Sequence, residues 1–152
     1  MSQVISLTGS DTLKLNDRII SDVADGDIVA ITYPNDLANV KTGKNGNSII
    51  SFKNDGRQAD VSIRVMLGSS DDKFLNNLLS LFKNDPAAFA LIFGEFTKNT
   101  GDGTGKVTQT TYVLSGGIPS KNVDTTENAD GNTDQAIAVY NFKFTNAPRS
   151  IG

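Results

Sequence analysis

From Gln58 to Leu67 apolar and polar residues alternate, with Ala59, Val61, Ile63, Val65 and Leu67 on one parity and Asp60, Ser62 and Arg64 on the other. Strand side chains point to opposite faces in turn, so the pattern predicts a strand with one buried face. Gly68-Ser69-Ser70 interrupts it, and the period then lengthens. Phe74, Leu75, Leu78, Leu79, Leu81 and Phe82 sweep an arc of roughly 160° at helical spacing, while Lys73, Asn76, Asn77, Ser80 and Lys83 fill the rest. The spacing predicts a helix over about 71–83 whose six apolar side chains are core. Its boundary signals agree: Ser69 as N-cap with Asp72 as capping partner, Asp71 and Asp72 at the positive end of the dipole, Lys83 at the negative end, and Pro86 just beyond.

The other apolar segments read as strands over roughly 4–7, 13–23, 28–33, 49–53, 88–98, 106–114 and 135–145. Asp25-Gly26 and Asp55-Gly56 are tight-turn dipeptides, so 13–23 is expected to pair with 28–33, and 49–53 with 59–67. The Gly-rich run from Asn99 to Gly105 joins 88–98 to 106–114. Phe89, Leu91 and Phe93 share a face that Phe96 does not, which makes Gly94 a candidate bulge. Two polar stretches, 34–48 and 120–134, exceed ordinary loop length. The first, with Asn45-Gly46 near one end, reads as an extended hairpin that protrudes from the body. No repeat or linker divides the chain, so 1–152 is expected to form a single, mostly β domain, an antiparallel sandwich with one flanking helix.

Composition narrows the chemistry. The 152 residues contain no His, Cys or Trp, which removes the commonest general base, the thiol nucleophile, disulfides and most zinc ligation schemes. Only Glu95 and Glu127 are glutamates, and nothing in the spacing pairs carboxylates for hydrolysis. The formal charge of −3 gives no basic stripe for phosphates. No segment has the length of a membrane span or the charged-then-apolar form of a signal peptide. Gly101 to Lys106 departs from a phosphate-binding loop, because three residues separate Gly101 from Gly105 and Val107 stands where Ser or Thr is needed. Aligning Gly131 with the sixth position of a calcium loop puts Ile137 where a bidentate Glu belongs. The reading is a non-enzymatic protein without cofactor or metal.

A β body with protruding polar loops and no reactive groups suits assembly, since open sheet edges leave N–H and C=O groups that copies of the chain can satisfy. Several parts follow in an order that points further: the strand Ile28-Val29-Ala30-Ile31, a hairpin through Asp36, Lys41, Gly43 and Asn45-Gly46, then Gly56 and the alternating strand Val61 to Leu67. The helix with Asn76-Asn77-Leu78-Leu79, the closing strand Tyr140-Asn141-Phe142-Lys143-Phe144 and the tail Ser150-Ile151-Gly152 complete it. Over nearly the whole chain this order resembles the tail tube proteins of contractile-tailed bacteriophages, related in fold to the tube protein of type VI secretion.

The resemblance implies a β-sandwich or half-barrel subunit, hexameric rings whose inner sheets merge into a barrel, and stacking of rings into a hollow tube inside a sheath. It implies that the 34–48 hairpin reaches a neighbouring ring, with Asp36, Asn39, Lys41, Lys44 and Asn45 as contact candidates and short terminal arms adding contacts. Sheath, baseplate and tail-terminator proteins are the implied partners. The implied location is the virion, after synthesis in the host cytoplasm. DNA would pass through the lumen without specific binding, past carboxylates such as Asp60 that repel phosphates. Two alternatives stay open: the tube of a contractile bacteriocin or type VI secretion system, and, in a different class, a monomeric β-sandwich module that binds sugar or protein.

Overall fold

A computed structural model describes residues 5–21, 29–126 and 136–152. Among these the elements run β1 (Ser6–Leu15), β2 (Arg18–Ile20), β3 (Val29–Thr32), β4 (Ala38–Thr42), β5 (Ser48–Phe52), β6 (Ala59–Met66), α1 (Ser70–Asn84), β7 (Ile92–Gly101), β8 (Val107–Pro119), β9 (Asp124–Thr126), β10 (Ile137–Asn146) and β11 (Arg149–Ile151). Nine strands form one antiparallel sheet in the order β2-β1-β7-β8-β10-β6-β3, with β11 beside β8 and β9 beside β10. Strands β4 and β5 form a separate two-stranded ribbon. The mostly β architecture with one helix is the one the periodicity predicts.

The sheet curls around α1. Strands β2 and β6 lie near opposite ends of the strand order, yet both reach the helix: β6 packs along it, and Arg18 of β2 contacts Asp71 in its first turn. Leu13, Leu15 and Ile20 from one end therefore share a single core with Val61, Ile63, Tyr140 and Phe142 from the other. Every apolar residue of one parity in β6 and β10 is buried: Ala59, Val61, Ile63 and Val65, and Ala138, Tyr140, Phe142 and Phe144. Removing that surface from water is what holds the curled sheet and the helix together.

The helix begins where its caps direct. The Ser69 hydroxyl oxygen accepts the Asp72 N–H at 3.2 Å, and the short Asp72 carboxylate reaches one residue before the cap to accept the Gly68 N–H at 2.8 Å. The Tyr140 hydroxyl donates to the same carboxylate at 2.5 Å, tying the helix to β10. Burial first, and the hydrogen bond to Asp72 second, push the Tyr140 phenol well above its usual range. Asp71, 1% exposed, accepts the Arg18 Nε–H at 3.1 Å and the Ser21 N–H at 2.7 Å, while the Arg18 guanidinium lies 5.1 Å from the Phe74 ring centre. A carboxylate at the positive end of the helix dipole thus also anchors the β1–β2 hairpin.

The apolar stripe of α1 is narrower than its sequence implies. Leu75, Leu78 and Leu79 are buried and Phe74 packs against them, but Leu81 is 52% exposed and is not core. At 100° per residue it points about 110° away from the mean direction of the three buried leucines, off the sheet. Phe82 is half-buried and meets the ring of Phe89 edge-on, centres 5.3 Å apart.

Strand pairings differ from those expected at both tight-turn dipeptides. The segment 13–23 is not one strand, because Asn16 and Asp17 adopt left-handed φ of 47° and 66° and turn β1 back into β2. Two consecutive positive φ values define the hairpin turn that matches strand twist, and Asn and Asp tolerate them without glycine. Strand β3 pairs with β6, and Asp25-Gly26 lies outside the described residues. Asp55-Gly56 sits in a short 3₁₀ turn, Asn54–Arg57, and β5 pairs backwards with β4 instead of forwards with β6. A Cβ on Gly56 would stand 2.8 Å from the Asp36 carbonyl oxygen and 2.9 Å from Leu37, so this glycine permits a close approach and makes no hairpin.

The strand expected from 88 begins at Ile92, after a 3₁₀ turn at Pro86–Ala88, and its inward residues are Ile92 and Phe96. Leu91 and Phe93 point outward while Ile92 and Phe96 are both buried, so the inward face of β7 does not switch at Gly94. The register does shift between Ile92 and Gly94, but the extra residue belongs to β8, where Gly116 has φ 65°. The Gly-rich run is the β7–β8 turn. There the Asp102 carboxylate accepts the Thr104 N–H at 2.8 Å and its hydroxyl at 2.7 Å, which lowers the Asp102 pKa. Most of the second long polar stretch lies outside the described residues.

Candidate assembly surfaces

Among the described residues, the β4–β5 ribbon carries several of the most exposed large apolar side chains. Its register places Ala38 opposite Phe52, Val40 opposite Ile50 and Thr42 opposite Ser48, so these six side chains share one face. The hydroxyls of Thr42 and Ser48 meet at 3.0 Å, and the remaining four form an apolar ladder. Val40 is 64%, Ile50 58% and Phe52 84% exposed, with Leu37 beside them at 69%. The other face carries Asn39, Lys41, Ser51 and the exposed Ile49. The turn is fixed by Gly46 N–H to the Gly43 carbonyl at 3.0 Å and Gly43 N–H to the Asn47 carbonyl at 2.8 Å, with Gly46 at φ 85°.

The root of the ribbon is pinned to the body. The Lys53 N–H donates to the Leu37 carbonyl at 2.8 Å, and the Asn35 amide donates to the Asp55 carbonyl at 3.1 Å and to Gln58 Oε1 at 3.3 Å. The Tyr33 hydroxyl donates to the Ala147 carbonyl, linking the root to the C-terminal segment, and desolvation raises the Tyr33 pKa. Between root and C-terminal segment opens a cleft of about 840 Å³, lined among others by Tyr33, Leu37, Ala38, Gly56, Ala147 and Pro148. Ala38, the innermost rung of the ladder, belongs to this lining, so ladder and cleft are one continuous surface.

The polar residues singled out in the sequence take different places on this ribbon. Asp36 lines the root cleft, Asn39 and Lys41 lie on the face opposite the ladder, and Lys44 and Asn45 occupy the turn; all five are exposed. Sequence reasoning missed Val40, Ile50 and Phe52. The signal was there: Ala38 and Val40 alternate inside the polar stretch, and Ile50 and Phe52 alternate in the strand that follows it.

Asp60 lies on the sheet face away from the helix, directly opposite Lys143 of β10, and its carbonyl accepts the Thr32 hydroxyl at 3.4 Å. That face also bears Arg64, opposite Val139, and Lys14 across from Glu95. Charges of both signs therefore alternate over it. The end strands β2 and β3 are each paired on one side only among the described residues. No described helix is long and apolar enough to cross a membrane.

Solved structures from contractile injection systems share this curled sheet with one helix. One similar structure is from the sheath–tube complex of an extracellular contractile injection system, PVC, in its extended state, with a TM-score of 0.60 at 10% identity over 92% of this chain and 87% of that one. A second is from the tube-terminating cap of the anti-feeding prophage, with a TM-score of 0.64 at 8% identity over 100% and 95%. A third is from the PVC sheath/tube terminator, at 0.59 and 12% identity over 92% of each chain. At such identities the likeness is one of fold. No protein-family model and no curated protein sequence matches the chain.

Proposed function

We propose that the chain is a non-enzymatic structural subunit that assembles with copies of itself into the inner tube of a contractile tail. In this reading the subunits close into hexameric rings, the rings stack through the β4–β5 ribbon and the terminal arms, and a sheath surrounds the result. Baseplate and terminator proteins bound its ends. The observation that carries the reading is the fold, which matches tube, cap and terminator structures over nearly the full length of both partners. The virion of a phage is the proposed location, with DNA passing through the bore. Asp60 remains the lumen candidate. On its sheet face Asp60 and Glu95 stand among Lys143, Arg64 and Lys14, so the carboxylates there act beside cations and not as a purely acidic lining.

A second reading, the tube of a contractile injection system without a phage head, is favoured by the structures that share the fold. Negative-stain imaging of the purified chain at rising concentration tests the common part. Rings or hollow rods are expected; a uniform population of monomers at millimolar concentration contradicts it. Capsid and terminase genes beside the coding sequence would separate phage from injection system.

A further inference from the structure

We propose that a second copy of this chain covers the apolar ladder Ala38, Val40, Ile50 and Phe52, and that this contact, not the polar residues of the ribbon, holds neighbouring subunits together. The inference rests on the self-assembly reading and names the residues and the physical force behind it.

An isolated two-stranded ribbon is at best marginally stable in water, and three or more strands or a packed face are needed to support it. Among the described residues this ribbon has no third strand, and Phe52 on its apolar face is 84% exposed. An uncovered ladder of β-branched and aromatic side chains is also an aggregation hazard, unless a specific partner takes it up. The root is built for such a partner. The Asn35 bonds to Asp55 and Gln58, the Tyr33–Ala147 bond and the close approach at Gly56 fix the ribbon's root before any contact forms, which lowers the entropy lost on docking.

Charge identifies the occupant as another copy. Residues 38–53 contain Lys41, Lys44 and Lys53 and no acid, whereas the whole chain has 14 basic and 17 acidic residues, leaving 11 basic against 17 acidic outside the ribbon. A cationic arm on an anionic body is complementary to its own kind, and it steers copies head to tail. Size points the same way. A five-residue strand is ~17 Å long, so one ribbon face falls short of the ~800 Å² that each partner buries in a lasting pair. In a head-to-tail ring or stack each copy makes the contact twice, once giving and once receiving, which a single foreign partner would not do.

The test compares full-length wild type with Ile50→Ser/Phe52→Ser, Val40→Thr and Lys41→Gln/Lys44→Gln, by sedimentation velocity and imaging across concentration, with near-ultraviolet circular dichroism to check the fold. The apolar double variant is expected to keep its tertiary signal and to need a roughly thirtyfold or greater concentration for half-assembly. Val40→Thr, which keeps β-branching and shape, is expected to shift it about fivefold, so the conclusion stands even if the double variant unfolds. The lysine variant is expected to shift it about threefold and to lose salt sensitivity. Tubes that form at wild-type concentration with Ile50→Ser/Phe52→Ser or Val40→Thr overturn this inference and leave the tube reading intact. Ribbon-dependent dimers without rings support the docking and overturn the tube. A wild type that stays monomeric overturns both.

Discussion

Strands β6 and β5 make an instructive pair. In β6, Val61, Ile63 and Val65 are at most 1% exposed; in β5, Ile49, Ile50 and Phe52 are 58–84% exposed. Both are strands with β-branched or aromatic residues at alternate positions, so local propensity does not distinguish them. The difference is what lies opposite. Strand β6 faces α1 and the neighbouring β10, which its own chain supplies, while among the described residues β5 pairs with β4 alone. One apolar surface is closed by folding, and the other is left for association.

The sharpest way to break this comparison is the ribbon itself: replacing 38–52 with a short Gly-Ser linker is expected to leave a folded, monomeric body that forms no rings at any concentration reached. Tube growth by that variant would show that the open surface has no part in assembly. On the closed side, Leu78→Ala is expected to lower the unfolding free energy of the monomer by ~2–5 kcal/mol, measured by urea denaturation. Asp71→Asn weakens the link between helix and β1–β2 hairpin and is expected to cost about 2 kcal/mol by the same measurement.

The alkaline limb of stability gives a finer test. Because the folded state raises the Tyr140 pKa, it holds the proton after the unfolded chain has lost its own. The contribution is present below pH ~10, the ordinary phenol value, and falls as pH rises above it. Tyr140→Phe is expected to flatten that decline in a series of thermal melts. At the small end, Leu81→Ala, on the open side of the helix, is expected to change stability by less than ~0.5 kcal/mol.

How far the sequence could be read followed from what decides each element. The 59–67 strand and the α1 caps were legible because local pattern and global packing agree there. Pairing was not. Asn16-Asp17 lacks the glycine that marks a hairpin, so 13–23 looks continuous, and Gly56 serves packing against Asp36 and Leu37 although it sits in a turn dipeptide. Leu81 failed for a related reason: periodicity shows that an apolar face exists, but the angle at which a neighbour meets it is a tertiary fact. At the candidate site, the polar composition of 34–48 drew attention to Asn39 and Lys41 and hid Val40, while Ile50 and Phe52 were assigned to a strand expected to pair with 59–67 and so were not connected with the hairpin.

Backbone hydrogen exchange of the ribbon as a function of protein concentration tests the central claim most directly. In the monomer, amides of 38–52 are expected to exchange rapidly, since the two strands support only each other, while those of β6 and β10 stay protected. As rings form, the ribbon amides should slow by at least tenfold in step with the assembled fraction. Ribbon exchange that stays fast while tubes accumulate would contradict the account.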